Sequence, residues 1–219
     1  MFIKPLQKDF SFIINNIKTY YYSELSILRQ MRLFVAVNFP FEIKKAVGSF
    51  IQDLRKLPAD LKWVEPENLH LTVQFLGNVS EEQVPEVTEA LNRAAAGIAP
   101  FSLELSGVGV FPSRERPRVF WAGAAGDTAP LLKLSRQVQR ELKELGFDPG
   151  KNKFSPHLTL ARLRSPSGFS DVLDRAEKAA ANKVFGSAKI STVDLMLSEL
   201  GPRGPKYFTL ARAPLTGSP

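Results

Sequence analysis

The feature that most constrains this chain is a short phrase that occurs twice, as His70-Leu71-Thr72-Val73 and as His157-Leu158-Thr159-Leu160. The chain has 219 residues, and these phrases hold its only two histidines. The elements predicted around the phrases recur in one order: strand, helix, histidine strand, helix and strand. We therefore interpret the chain as an internal duplication, with one repeat at about 32–110 and the other at about 117–198.

The pattern of apolar residues predicts the elements of each repeat. In the first repeat, Ser80 and Gln83 form a capping box that begins the second helix. In the second repeat, Gly146 ends the first helix. The predicted strands are 32–38, 69–76, 101–110, 118–121, 154–163, 188–197 and 207–210, and the predicted helices are 41–57, 84–95, 131–145 and 169–181.

Composition excludes several classes of site and of protein. The chain has no cysteine, so disulfides and thiolate ligands or nucleophiles are excluded, and we expect a reducing, cytoplasmic location. No apolar run reaches the ~20 residues of a membrane-spanning helix. The net charge of +7 favours an anionic partner such as nucleic acid. Residues 1–30 lack the periodicity of the rest, and we expect them to be an N-terminal extension outside a single domain at 31–219.

The repeated phrase places polar side chains together. Residues i and i+2 of a strand share a face, so His70 and Thr72 point one way, and His157 and Thr159 do the same on their strand. If the repeats pack pseudo-symmetrically, these faces converge on a cleft with two imidazoles and two hydroxyls. One imidazole can then deprotonate an attacking water while the other protonates the leaving oxygen of a phosphodiester. No metal or covalent intermediate is needed.

At this point the chain resembles a known family, the RNA 2′,3′-cyclic phosphodiesterases or 2′-5′ RNA ligase-like proteins of the two-histidine phosphoesterase superfamily. The resemblance spans about 31–212 and depends on both phrases and their flanks, Phe75-Leu76-Gly77 in one copy and Ala161-Arg162 in the other. It implies an α+β, bilobal fold with a pseudo-two-fold axis and two mainly antiparallel sheets, flanked by helices, around a central cleft.

The resemblance also implies roles for five residues. His70 is the proton donor and His157 the proton acceptor, while Thr72, Thr159 and Arg162 bind the phosphate. The implied reaction opens a 2′,3′-cyclic phosphate at an RNA 3′ end, as on tRNA fragments, and leaves a 2′-phosphate. Reversible ATP-independent 2′-5′ ligation is implied as well. Strict alternation places Arg162 on the opposite face from His157, so this role requires a bulge, a twist or a strand that ends by Ala161.

Other interpretations stay open on sequence alone. A related phosphoesterase could act on a small cyclic nucleotide or a nucleotide-sugar cyclic phosphate, and a non-catalytic module could bind RNA ends without turnover. A structural role for one histidine in an apolar strand is common, but two histidines in matched phrases favour function. Two histidines without a spaced third ligand make an incomplete zinc set, so we expect no metal and no cofactor. We also expect no membrane and no obligatory protein partner.

Overall fold

The computed structural model describes residues 29–150, 153–181, 183–202 and 204–218. These residues contain both helices and antiparallel strands, which confirms the α+β class. In chain order the elements are β1 (Gln30–Asn38), α1 (Phe41–Leu54), β2 (Leu61–Trp63), β3 (His70–Ser80), α2 (Val84–Ala96), β4 (Phe101–Phe111), β5 (Val119–Ala125), α3 (Ala129–Lys143), β6 (His157–Leu163), α4 (Phe169–Ala180), β7 (Val184–Ile190), β8 (Thr192–Gly201) and β9 (Gly204–Pro214).

The strands of the described residues form one sheet, whereas the sequence predicted two. The order is β7-β4-β5-β6-β3-β1-β8-β9, with β2 also paired to β6, and the neighbours are antiparallel. The two histidine strands, β3 and β6, lie side by side in the middle and pair at Leu71 and Leu158. This pairing joins the halves directly, so the prediction of two separate sheets is wrong.

The last strand of each repeat lies beside the first strand of the other. β4 pairs with β5, and β8 pairs with β1. The single strand predicted at 188–197 is in fact two strands, because β7 ends at Ile190 and β8 begins at Thr192. β7 pairs with β4 at one end of the sheet, while β8 pairs with β1 in the other half. The chain therefore crosses between the halves, which ties the repeats together.

The helices cover one face of the sheet and form the main core with it. α2 packs against α3, and α1 packs against α4. Val47 of α1, Leu91 of α2, Leu134 of α3 and Val172 of α4 are buried in this core, together with Leu71 of β3. Full burial of such an aliphatic side chain contributes about 1.5–3 kcal/mol. The polar members of the histidine phrases are left on the opposite face.

The remaining predictions on chain organisation concern the N-terminus and the membrane. Residues 1–28 lie outside the described residues, so their exclusion from the fold stays a prediction. β1 begins at Gln30, which pairs with Ser80, one residue before the predicted start of the domain. None of the helices in the described residues is long and apolar enough to span a bilayer. The cytoplasmic location stays a prediction.

Candidate active site

Arg162 reaches the same face as His157 because β6 contains a bulge. Along β5, Trp121 pairs with Thr159 but the next residue, Phe120, pairs with Ala161, so Leu160 is the extra residue. Leu160 and Ala161 are both buried, and the exposed Arg162 follows them. An extra residue reverses the alternation of side chains, which places Arg162 on the face of Thr159.

β3 contains the same bulge at the same position. Along β1, Ala36 pairs with Thr72 but Val35 pairs with Gln74, so Val73 is the extra residue. Val73 and Gln74 are both buried, and Phe75 follows them with 61% of its surface exposed. Phe75 is five residues after His70, as Arg162 is five residues after His157. The two side chains therefore occupy equivalent positions in the two repeats.

The paired leucines lie at the centre of the site. Leu71 and Leu158 are directly opposite, so the residues that flank them point to the other face of the antiparallel pair. His70 then lies across from Thr159, and Thr72 lies across from His157. All four side chains line one pocket of about 700 Å³, and Arg162 lines it as well. The structure thus brings all five predicted site residues together.

Backbone carbonyls fix the orientation of both imidazoles. Nδ1 of His70 lies 2.7 Å from the carbonyl oxygen of Asn68, and Nδ1 of His157 lies 2.7 Å from that of Ser155. A carbonyl oxygen can only accept, so Nδ1 carries the hydrogen in each ring and Nε2 carries the lone pair. Thr72 Oγ1 lies 3.1 Å from Nε2 of His70 and donates to it. In both repeats, Nε2 is thus the nitrogen available for proton transfer.

Burial makes both imidazoles prefer the neutral form. Desolvation lowers the pKa of His70 to about 4, against the raising effect of the hydrogen bond to Asn68. The nearby cations Lys44 and Arg162 and the ring of His157 lower this pKa further. Desolvation also lowers the pKa of His157, and Arg162 adds to that shift. Both rings are therefore neutral at pH 7 in the absence of an anion.

Aromatic rings hold each imidazole in place. The ring centroid of His70 lies 4.8 Å from that of Phe34 and 5.0 Å from that of Tyr207. The ring centroid of His157 lies 4.9 Å from that of Phe111 and 6.4 Å from that of Trp121. Such packing restricts ring rotation and excludes water, which also accounts for the desolvation of both rings.

The charges of the pocket favour an anion. Arg32, Lys62 and Arg162 line it, and no aspartate or glutamate of the described residues does. In the part of the chain that the structure describes, no three histidine or acidic side chains form a group that could hold a metal ion. The pocket therefore presents two imidazoles, the hydroxyls of Thr72 and Thr159 and three cations to a ligand.

Sequence reasoning missed several residues of the pocket. Phe75 could have been found by subtracting the repeat offset from the position of Arg162, since the two positions are 87 residues apart, like the two histidines. Lys62 lies on the short strand β2, which no apolar pattern predicts. Arg32 and Tyr207 reach the site only because β1 and β9 belong to the same half of the sheet as β3.

Comparison with known proteins shows the relationships of this chain. The family model described as LigT like Phosphoesterase matches it twice, at residues 37–121 and 125–207. The curated RNA 2′,3′-cyclic phosphodiesterase of Archaeoglobus fulgidus is 37% identical over 180 residues, which cover 82% of this chain and 98% of the relative. The protein of the same name from Thermotoga maritima is 34% identical over 189 residues, covering 85% and 97%.

Solved structures show the same relationship. A crystal structure from Thermus thermophilus is 33% identical, has a TM-score of 0.70 and covers 85% of this chain and 99% of that chain. The crystal structure of Escherichia coli LigT complexed with 3′-AMP is 27% identical, with a TM-score of 0.67 and coverages of 86% and 99%. With the family model covering both repeats and each histidine phrase inside one match, the chain belongs to the LigT-like phosphoesterase family.

Proposed function

We propose that this protein hydrolyses the 2′,3′-cyclic phosphate at the 3′ end of an RNA strand and leaves a 2′-phosphate. The observation that carries the proposal is the placement of His70 and His157 around the Leu71–Leu158 pair, each with Nε2 available for proton transfer. Relatives named RNA 2′,3′-cyclic phosphodiesterase support the choice of substrate. The guanidinium of Arg162 and the hydroxyls of Thr72 and Thr159 suit a phosphate.

In the proposed reaction, the two imidazoles act in opposite directions on one phosphorus atom. Nε2 of His157 takes a proton from water, and the water oxygen forms a bond to phosphorus. The bond between phosphorus and the 3′ oxygen breaks, and the 3′ oxygen takes a proton from Nε2 of His70. Solvent then restores both rings to their starting states. Each well-placed proton transfer contributes ~10²–10⁴-fold to the rate.

The remaining site residues bind the phosphate in this proposal. The hydroxyl of Thr159 donates to a non-bridging oxygen, and that of Thr72 does so once His70 is protonated, because Nε2 of His70 then no longer accepts its hydrogen. The guanidinium of Arg162 pairs with the charge of these oxygens. An anion beside an imidazole favours its protonated form, so the bound phosphate raises the lowered pKa of His70 and lets it act as the donor. The pH dependence of kcat/KM reports the free protein, in which the pKa values of both imidazoles are lowered, so we expect kcat/KM to be falling already at pH 7 and to continue to fall as the pH rises.

Ligation follows the same geometry with another nucleophile. If the 5′ hydroxyl of a second RNA replaces water, the same two proton transfers form a 2′-5′ phosphodiester without ATP. This activity stays a prediction of the family resemblance. Adding a 5′-hydroxyl oligonucleotide to the hydrolysis assay measures it directly, since the joined product is longer than either substrate.

The proposal is tested by the product from an oligoribonucleotide that ends in a 2′,3′-cyclic phosphate, incubated with EDTA present. We expect conversion to a 2′-phosphate, identified by chromatography against authentic 2′- and 3′-phosphate oligonucleotides. Absence of product, a 3′-phosphate product, or turnover that EDTA abolishes would each contradict the proposal. Binding of the oligonucleotide without turnover would favour the alternative of a module that only binds RNA ends.

A further inference from the structure

Lys62 and Arg162 form an unusual pair of like charges. They are register partners on the neighbouring strands β2 and β6, and both line the pocket. Like charges directly opposite each other on paired strands repel and destabilise the sheet. Both side chains are exposed, so neither position requires a charge for packing. The repulsion between the two side chains therefore destabilises the free protein, and a bound anion would remove it.

Neither member of the pair has an acidic partner among the described residues. Seven of the other arginines in the described residues do, for example Arg55 with Glu65, Arg93 with Glu141 and Arg114 with Glu177. Lys62 and Arg162, in contrast, make no ion pair or hydrogen bond within the described part of the chain, and no carboxylate from it lines their pocket. Two unpaired cations that face each other across neighbouring strands form a site for a negative charge from outside.

The strand β2 holds Lys62 firmly against this pocket. Leu61 is buried in the core, and the ring of Trp63 packs at 6.2 Å from that of Phe120. The backbone N–H of Val64, directly after β2, donates to the carbonyl oxygen of Leu160 at 2.8 Å. Lys62 is therefore presented by an anchored element next to the bulge that orients Arg162.

The position of the pair relative to the histidines indicates which anion it meets. Arg162 is three positions after Thr159, which is about 10 Å or less along a bulged strand. A terminal 2′,3′-cyclic phosphate has one neighbouring phosphate in its strand, the phosphodiester on the 5′ oxygen of the terminal nucleoside. Arg162 already pairs with the reacting phosphate in the proposed function, so the neighbouring phosphodiester is the one further anion of the substrate that Lys62 can meet beside it.

We propose that Lys62, together with Arg162, binds the phosphodiester that precedes the terminal nucleotide, and so makes the enzyme prefer oligonucleotides to mononucleotides. This inference rests on the proposed function and adds a second anion site to it. Arg162 then contacts both phosphates through the separate N–H groups of its guanidinium. Lys62 contacts the second phosphate alone, which makes it the residue to test.

The test compares kcat/KM on cytidine 2′,3′-cyclic phosphate and on a cytidine dinucleotide with the same cyclic end. We expect the unmodified protein to prefer the dinucleotide by on the order of tenfold, the typical strength of a charge-assisted hydrogen bond. Lys62→Gln should remove most of this preference, with Arg162 keeping the rest, and should leave the mononucleotide rate within about twofold of the original. Lys189→Gln is the matched control, because Lys189 is an exposed strand lysine outside the pocket.

A dinucleotide with an uncharged methylphosphonate linkage separates the phosphate from the added nucleoside. We expect the unmodified protein to treat it like the mononucleotide, and Lys62→Gln to change its rate little. The inference is overturned if the unmodified protein shows no dinucleotide preference, if the methylphosphonate retains the preference, or if Lys62→Gln slows both substrates equally. Turnover of neither substrate by the unmodified protein would overturn the proposed function instead.

Discussion

The strands β3 and β6 share one backbone design and differ at one pocket position. In each strand, two consecutive buried residues follow the threonine and mark a bulge, Val73-Gln74 in β3 and Leu160-Ala161 in β6. The next side chain returns to the pocket. It is Phe75 in β3 and Arg162 in β6.

The difference between Phe75 and Arg162 makes the two ends of the pocket chemically unlike, although both strands supply a histidine and a threonine. The duplicated part supplies two imidazoles and two hydroxyls, which suit a reaction with one proton donor and one proton acceptor. The position after the bulge supplies a cation at one end of the pocket and an exposed aromatic ring at the other. We expect this difference to favour one orientation of a substrate that carries a phosphate and a base.

The largest losses of activity are expected at the two histidines, which both strands share. His70→Ala and His157→Ala each remove one proton transfer, so each should lower kcat by ~10²–10⁴-fold while KM changes little. Steady-state kinetics on a cyclic-phosphate oligonucleotide measures both. A variant that retains most of the activity would show that its half of the site takes no part in the chemistry.

The second effect is a change in the pH dependence of stability, caused by the burial of His70. The unfolded chain binds a proton at the imidazole of residue 70 near pH 6.5, whereas the folded protein resists it until about pH 4. Lowering the pH from 6.5 to 4 therefore costs the folded state about 3 kcal/mol through this one group, and none above pH 6.5. Between pH 6.5 and 4, the free energy of unfolding of His70→Gln should fall by about 3 kcal/mol less than that of the unmodified protein, because the other groups titrate equally in both. Urea denaturation at the two pH values measures this difference. Identical pH dependence would contradict the buried, neutral state of His70.

The third effect is a loss of phosphate affinity at the position after the bulge, which Arg162 occupies in β6 and Phe75 in β3. Arg162→Gln removes charge-assisted hydrogen bonds worth about 1.5–3 kcal/mol, so inorganic phosphate should inhibit the variant about 10- to 100-fold more weakly. Phe75→Leu is the matched control in the other strand and should leave phosphate inhibition unchanged. Equal weakening in both variants would mean that the two ends of the pocket do not differ in their affinity for anions.

The smallest effects are expected at the threonines. Thr72→Val and Thr159→Val keep the shape and remove one neutral hydroxyl, worth about 0.5–1.5 kcal/mol each, or roughly two- to tenfold in kcat/KM. Thr72→Val should also alter the titration of His70, because Thr72 donates to its Nε2. Proton NMR of the two imidazoles checks this difference. A shift in both rings, or in neither, would contradict the separate pairing of Thr72 with His70.

Much of the architecture could be predicted from local sequence signals. Helix periodicity located the helices, and the period of two placed His70 beside Thr72. The Ser80–Gln83 capping box is present at the 3-10 turn that leads into α2. These signals depend on neighbouring residues alone. The pairing of Leu71 with Leu158, which joins the halves into one sheet, depends on contacts between residues far apart in sequence and could not be seen.

The bulges show the same limit at the site. Alternation predicted the wrong face for Arg162, because an extra residue in one strand is visible only against its partner strand. The sequence does contain an indirect signal, since Val73-Gln74 and Leu160-Ala161 occupy matching places in the two repeats. Lys62 gave no signal, because a three-residue strand is too short to show periodicity.

The central claim is that both repeats act on one phosphate, and the double variant His70→Ala/His157→Ala tests it most directly. If the two imidazoles serve a single site, removing both should cost about as much as removing the more damaging one alone, since the remaining ring cannot complete the reaction. Two independent sites predict a different result. Each single variant would then keep about half of the activity, and only the double variant would be inactive.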